Sequence, residues 1–258
     1  MPELDIDRRA FPSVPPADLD NPQVIVEHDW AAFAAVDRMT DHWSRPGWSA
    51  GRRAYYWMLT FPRSPALVAC AQHCQGELEH LGMDAVPEDG LHVTMSRIGD
   101  LAQVPPERIK WLAGLAEQLP VECFRVTAHP LAGSRGALRF SLSPWRPLVR
   151  LHAALTTIGQ QAGVPGGKPT ATFRPHLGVQ YNNRERPAGP VIERVTQLRR
   201  LPPVSLDITA VDLVELRREG PVYRWDVVRS VPLRPRHEIV RCFSGRPAPS
   251  SSGGGQAG

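Results

Sequence analysis

The stretches GLHVTM (residues 90–95) and FRPHLGV (residues 173–179) carry the alternation of a half-buried strand. Side chains along a strand point to opposite faces in turn, so residues i and i+2 share a face. Leu91, Val93 and Met95 then face a core, while His92 and Thr94 face the other way. In the second stretch Leu177 and Val179 face a core, and His176 shares its face with Gly178 and, by the same parity, Arg174. Each motif sets an imidazole on the non-core face of a well-packed strand, a rigid platform for a reactive group. His42-Trp43-Ser44 and His80-Leu81-Gly82 fit the same short pattern and are read as chance matches.

Working outward, both motifs end the same run of elements. A strand from Tyr55 stops at Pro62, a helix follows over residues 65–81 with Ser64 in the capping position, and the chain returns through a turn at 87–90 to His92. A strand from Leu138 stops at Pro144, a helix follows from Pro147 to about Ala162, and a glycine–proline loop at 165–169 leads to a strand over 173–181. From strand start to histidine is 37 residues in one case and 38 in the other, by the numbering. This is an internal repeat. The expected fold is α+β: two pseudo-symmetric lobes of antiparallel sheet with flanking helices around a central cleft.

The remaining elements frame this repeat. An amphipathic helix is expected over residues 28–43, ended by Pro46-Gly47, and further helices over 105–119 and 191–201. A strand pair is expected at 124–128 and 138–143, and a hairpin of 206–217 with 222–228 closes over Glu219-Gly220-Pro221. Residues 1–22, with Pro2, Pro12, Pro15, Pro16 and Pro22, are read as a disordered arm. Residues 244–258 are read as a disordered Ser/Gly/Pro tail, leaving a bilobal domain over 23–243.

Composition narrows the classes. The chain has 258 residues, a formal charge of +4 and 27 prolines, so long uninterrupted helices are disfavoured. Only Lys110 and Lys168 are lysines among 30 basic residues, which reads as compositional bias before it reads as phosphate binding. No run has the ~20 apolar residues of a membrane span, and the N-terminus lacks a basic start and an apolar core, so a cytoplasmic protein is expected. Cys70, Cys74, Cys123 and Cys242 form neither a disulfide framework nor a paired zinc pattern, and no metal or cofactor is expected. Gly166-Gly167-Lys168 lacks the upstream glycine of a phosphate loop and runs into Pro169. His28, His73, His129, His152 and His237 are read as structural, and Trp30, Trp43, Trp48 and Trp57 as packing.

With its paired His-x-Thr/Ser motifs, GLHVTM and FRPHLGV, the chain resembles the 2H phosphoesterase superfamily over most of residues 54–230. That family includes the bacterial 2′-5′ RNA ligases and 2′,3′-cyclic phosphodiesterases. The resemblance implies a metal-independent phosphodiesterase acting on a 2′,3′-cyclic phosphate or a related RNA or nucleotide end. It implies His92 and His176 as general acid and base and Thr94 as ligand of a phosphate oxygen; separately, a monomer without membrane attachment is expected. The sequence departs from the family at Gly178, where a Thr or Ser is usual. One missing donor of this kind is worth about 10²-fold in rate. Tyr181, Arg174 or a water would have to replace it; otherwise the cleft is a weakened module that binds nucleotide or RNA ends. Arg174 shares His176's face by parity. Tyr181, at odd offset, should face away, and is considered as a base-stacking group. Arg97 points away unless a bulge intervenes. Arg217, Arg218, Arg224 and Arg229 form a solvated hairpin face, or a rim that attracts RNA.

Overall fold

The computed structural model describes residues 3–44 and 51–235. Pro2, Pro46, Gly47, Trp48, His237, Cys242 and the 244–258 tail lie outside the described residues. In chain order the elements are α1 (Pro22–Ala34), β1 (Arg38–Met39), β2 (Arg53–Thr60), α2 (Pro65–Glu77), β3 (Asp84–Ala85), β4 (His92–Asp100), α3 (Pro106–Ala116), β5 (Phe124–Gly133) and β6 (Ala137–Ser143). There follow α4 (Arg146–Gln161), β7 (Leu177–Tyr181), β8 (Arg186–Pro187), α5 (Gly189–Leu198), β9 (Val204–Ile208), β10 (Ala210–Glu219) and β11 (Val222–Pro232). Proline stands in the first turn of every α-helix, where its missing N–H costs nothing.

Two antiparallel sheets form the lobes. The first has the order β11-β10-β2-β4 and the second β3-β7-β6-β5-β9; β1 and β8 form a separate two-stranded pair. β2 and β4 carry the first half of the repeat, β6 and β7 the second. The helices between them are exchanged: α2 leaves the first sheet and packs on β7 and β9, while α4 leaves the second and packs on β4. Each lobe's sheet is thus covered by the other's connection. One continuous core results, from Leu67 and Cys74 of α2 to Leu148, Leu155 and Ile158 of α4. Burying each such side chain is worth about 1.5–3 kcal/mol. The exchange locks the relative position of the two histidine strands.

Three expectations are corrected. The first helix covers Pro22–Ala34 rather than 28–43, because the Asn21 side chain accepts from the backbone N–H groups of Gln23 and Val24 and starts it early. Arg38 and Met39 then pair with Pro187 and Arg186 as a strand, and Met39 is buried. The single strand expected over 206–217 breaks at Thr209: β9 belongs to the second sheet and β10 to the first. Residues 3–21, expected as a disordered arm, run across the second lobe. The N–H of Asp5 donates to the carbonyl of Ala171, and that of Trp145 to Leu19.

Candidate active site

His92 opens β4 and His176 immediately precedes β7. Both line one cleft of about 360 Å³ between the sheets, together with His42, Arg52, Tyr56, Thr94, Ser134, Gly178, Tyr181 and Tyr223. The two imidazoles are held alike. Nδ1 of His92 bonds the carbonyl of Gly90 at 2.7 Å, and Nδ1 of His176 bonds the carbonyl of Arg174 at 2.9 Å. A carbonyl only accepts, so each Nδ1 carries a proton, and Nε2 is the nitrogen whose protonation changes. Burial pushes His92 below the usual histidine pKa, and the bond to Gly90 offsets part of this. Thr94 pairs with Met58 across the β2–β4 ladder and lies in the same cleft as His92.

Tyr181 also enters the cleft, against its parity. The β6–β7 register pairs Arg139 with Gly178 and Leu138 with Gln180, so Val179 is an extra, bulged residue. One bulge inverts the alternation and puts Tyr181 on the face of Gly178. A Cβ built on Gly178 would stand 3.5 Å from the Tyr181 hydroxyl. The hydroxyl of Tyr181 therefore lies in contact distance of where a side chain at 178 would begin. The β2–β4 ladder has two such shifts. The first leaves Met95 unpaired and sets Arg97 opposite Tyr56, yet Arg97 is not among the residues that line the cleft. Arg97 and Arg52 hold Asp100 at 2.8 and 2.9 Å, and these guanidiniums, Arg52 foremost, keep the Asp100 carboxyl at about 2.

Arg174 is not in the cleft. Pro169 and Pro175 bracket a non-strand segment, with a 3₁₀ turn at Thr170–Thr172 and β7 starting only at Leu177. Strand parity therefore does not extend to residue 174. Its guanidinium is buried among the carbonyls of Asp5, Pro12 and Ser13. The hairpin arginines are also occupied. Arg217 pairs with Glu219 and Asp226 at 2.6 Å each, Arg224 with Asp89 at 2.5 Å, and Arg229 with Glu117. Arg218 donates to the carbonyls of Gly220 and Trp43 and lies 4.6 Å over the Trp43 ring. The rim reading gives way to that of a self-neutralised strand face.

Pattern alone dismissed His42. It is buried, stacks on Tyr181 with ring centroids 4.1 Å apart, and its Nε2 lies 2.9 Å from the Tyr223 hydroxyl. Trp43 and Tyr223 meet its ring edge-on, and Trp225 lies 5.2 Å from His92. This aromatic wall joins residues far apart in the chain. Its local signal was only the aromatic content of residues 42–43 and 223–225. Trp57, by contrast, is buried in the core. Among the described residues, no group of three His, Cys, Asp or Glu side chains is placed to hold a metal ion. Nor is any described helix long and apolar enough to cross a membrane.

The family model of the 2′-5′ RNA ligase superfamily matches residues 62–220, more than half of the chain, and spans both histidine motifs. No curated protein sequence matches the chain. Among solved structures, apo LigT of E. coli superposes with a TM-score of 0.54 at 18% identity, over 71% of this chain and 98% of LigT. TT0787 of Thermus thermophilus gives 0.51 at 20% identity, over 72% and 100%. LigT in complex with 3′-AMP gives 0.52 at 17% identity, over 70% and 98%. The overlaps establish a shared fold.

Proposed function

Since the chain belongs to the 2′-5′ RNA ligase superfamily, we propose that it is a metal-independent phosphodiesterase opening a 2′,3′-cyclic phosphate on a nucleotide or RNA end. The observation that carries this reading is the pair of imidazoles lining one cleft, each with Nδ1 tied to a backbone carbonyl two residues earlier. Nε2 of His92, neutral at pH 7 because of its burial, takes a proton from the attacking water. The water oxygen bonds to phosphorus, and the bond from phosphorus to one ribose oxygen breaks. Nε2 of His176, acting as the acid, gives a proton to that departing oxygen. Solvent then restores the starting protonation of both rings. With an RNA hydroxyl attacking in place of water, the same ring-opening steps join two ends without ATP.

Thr94 donates to a non-bridging phosphate oxygen, and the Tyr181 hydroxyl supplies the second donor that Gly178 lacks. This placement favours turnover over a weakened binding site. The aromatic wall of His42, Tyr181 and Tyr223 is a stacking surface for a base. The 3′-AMP complex of LigT accords with a nucleotide in such a cleft. The test is hydrolysis of 2′,3′-cyclic nucleotides. His92→Ala and His176→Ala are each expected to lose 10²–10⁴-fold in kcat. Unchanged turnover in either variant, or nucleotide binding without any turnover by the wild type, overturns the proposal.

A further inference from the structure

The segment holding His176 has no ladder of its own. Residues 173–176 lie outside the sheet, and the Arg174 side chain is buried within the protein. Arg174 is 6% exposed. All five of its N–H donors find carbonyls. Nε donates to Pro12 at 3.0 Å; Nη2 donates to Asp5 at 2.6 Å and Ser13 at 3.2 Å; Nη1 donates to Phe173 at 3.0 Å and Ala171 at 3.4 Å. Three of these acceptors belong to residues 5–13, which lie outside the family-matched span. This arm is braced in turn. The N–H of Asp7 donates to the carbonyl of Ser13, and Arg139, paired with Gly178 in the sheet, donates to Phe11 and lies 5.4 Å over its ring. The carbonyl of Arg174 accepts the Nδ1–H of His176.

We infer that residues 5–13 are a positioning strap for His176: the arm saturates the Arg174 guanidinium, and Arg174 fixes the carbonyl that sets the tautomer and aim of the imidazole. A guanidinium keeps its charge when buried, so its position follows its acceptors. Without the arm's three carbonyls it must leave the protein interior to find water. The peptide that carries His176's acceptor then moves with it. Arg174 is thus a positioning residue, and the strap that serves it lies outside the family-matched span. The inference rests on the role proposed for His176, but its test reads the imidazole directly.

The experiment is ¹⁵N NMR of histidine-labelled full-length protein, alongside steady-state kinetics with a 2′,3′-cyclic nucleotide. In Arg174→Gln, His176 is expected to lose its single Nδ1–H tautomer, and kcat to fall at least tenfold with KM within threefold. The spectrum of His92 should stay as in the wild type. The double variant Phe11→Gly/Pro12→Gly keeps the guanidinium but removes the ring against Arg139 and the buried proline that hold the arm. It should shift His176 in the same direction by a smaller amount, and it carries the test if Arg174→Gln does not fold. A wild-type His176 spectrum in the folded variants overturns the strap. A shifted spectrum, with no turnover of any cyclic phosphate by the wild type, upholds the strap and rejects the proposed reaction.

Discussion

Tyr181→Phe removes one oxygen and leaves the ring in place. That ring stacks on His42 at 4.1 Å and meets Trp43 and Tyr223 edge-on at 5.1 and 5.5 Å, so the aromatic wall survives the change. The hydroxyl lies 3.5 Å from the point where residue 178 would carry a Cβ, within reach of the phosphate oxygen that a threonine there would bind. Loss of one such donor costs about 10²–10³-fold in kcat, or about 2.7–4 kcal/mol of transition-state stabilisation. The effect on stability should be no more than about 1 kcal/mol. Steady-state hydrolysis of a 2′,3′-cyclic nucleotide, checked by single-turnover measurements, reads the chemical step. Adding Gly178→Ser to Tyr181→Phe should recover at least tenfold, because a Cβ at 178 makes only ordinary contacts and its hydroxyl enters the space the phenol vacated. A Tyr181→Phe enzyme within threefold of the wild type refutes the substitution of one hydroxyl for the other.

Three further outcomes follow from charge and burial. Burial lowers the pKa of His92, so the acid limb of kcat/KM should fall below pH 6.5, with activity lost as pH drops through it; a limb above pH 7 contradicts the assignment of His92 as base. Burial also brings His152 to about 4. Between pH 4 and 6.5 the unfolded chain therefore binds more protons at this site, so stability drops as the pH is lowered through that window, by up to about 3 kcal/mol. His152→Gln should flatten this dependence of the urea midpoint, and identical slopes in the two proteins count against it. Asp29→Ala leaves Arg139, 3% exposed and 3.6 Å from the Asp29 carboxylate, as an uncompensated buried charge. A loss of about 3–5 kcal/mol in urea unfolding is expected, and a loss under 1 kcal/mol would show that the pair is not what holds α1 to β6.

By itself, the sequence determined what short-range sterics dictate. Alternation within four residues put His92 and Thr94 on one face, and strand-to-histidine spacings of 37 and 38 residues pointed to two matched lobes. Prolines marked helix starts because their missing N–H is harmless only there. What escaped the sequence depended on partners distant in the chain. That Tyr181 faces the cleft was decided by a bulge, and a bulge is a property of the register between two strands rather than of either strand alone. Arg174 shares its expected parity with His176 on paper, yet the strand begins after it and its five donors are claimed by carbonyls, three of them from the N-terminal arm. His42 gained its place from Tyr181 and Tyr223, which only the closure of both lobes brings to it. The tertiary structure also exchanged the two helices between sheets: α2 packs on β7 and β9, and α4 on β4. Local pattern thus determined which groups can do chemistry, and long-range pairing decided which of them meet.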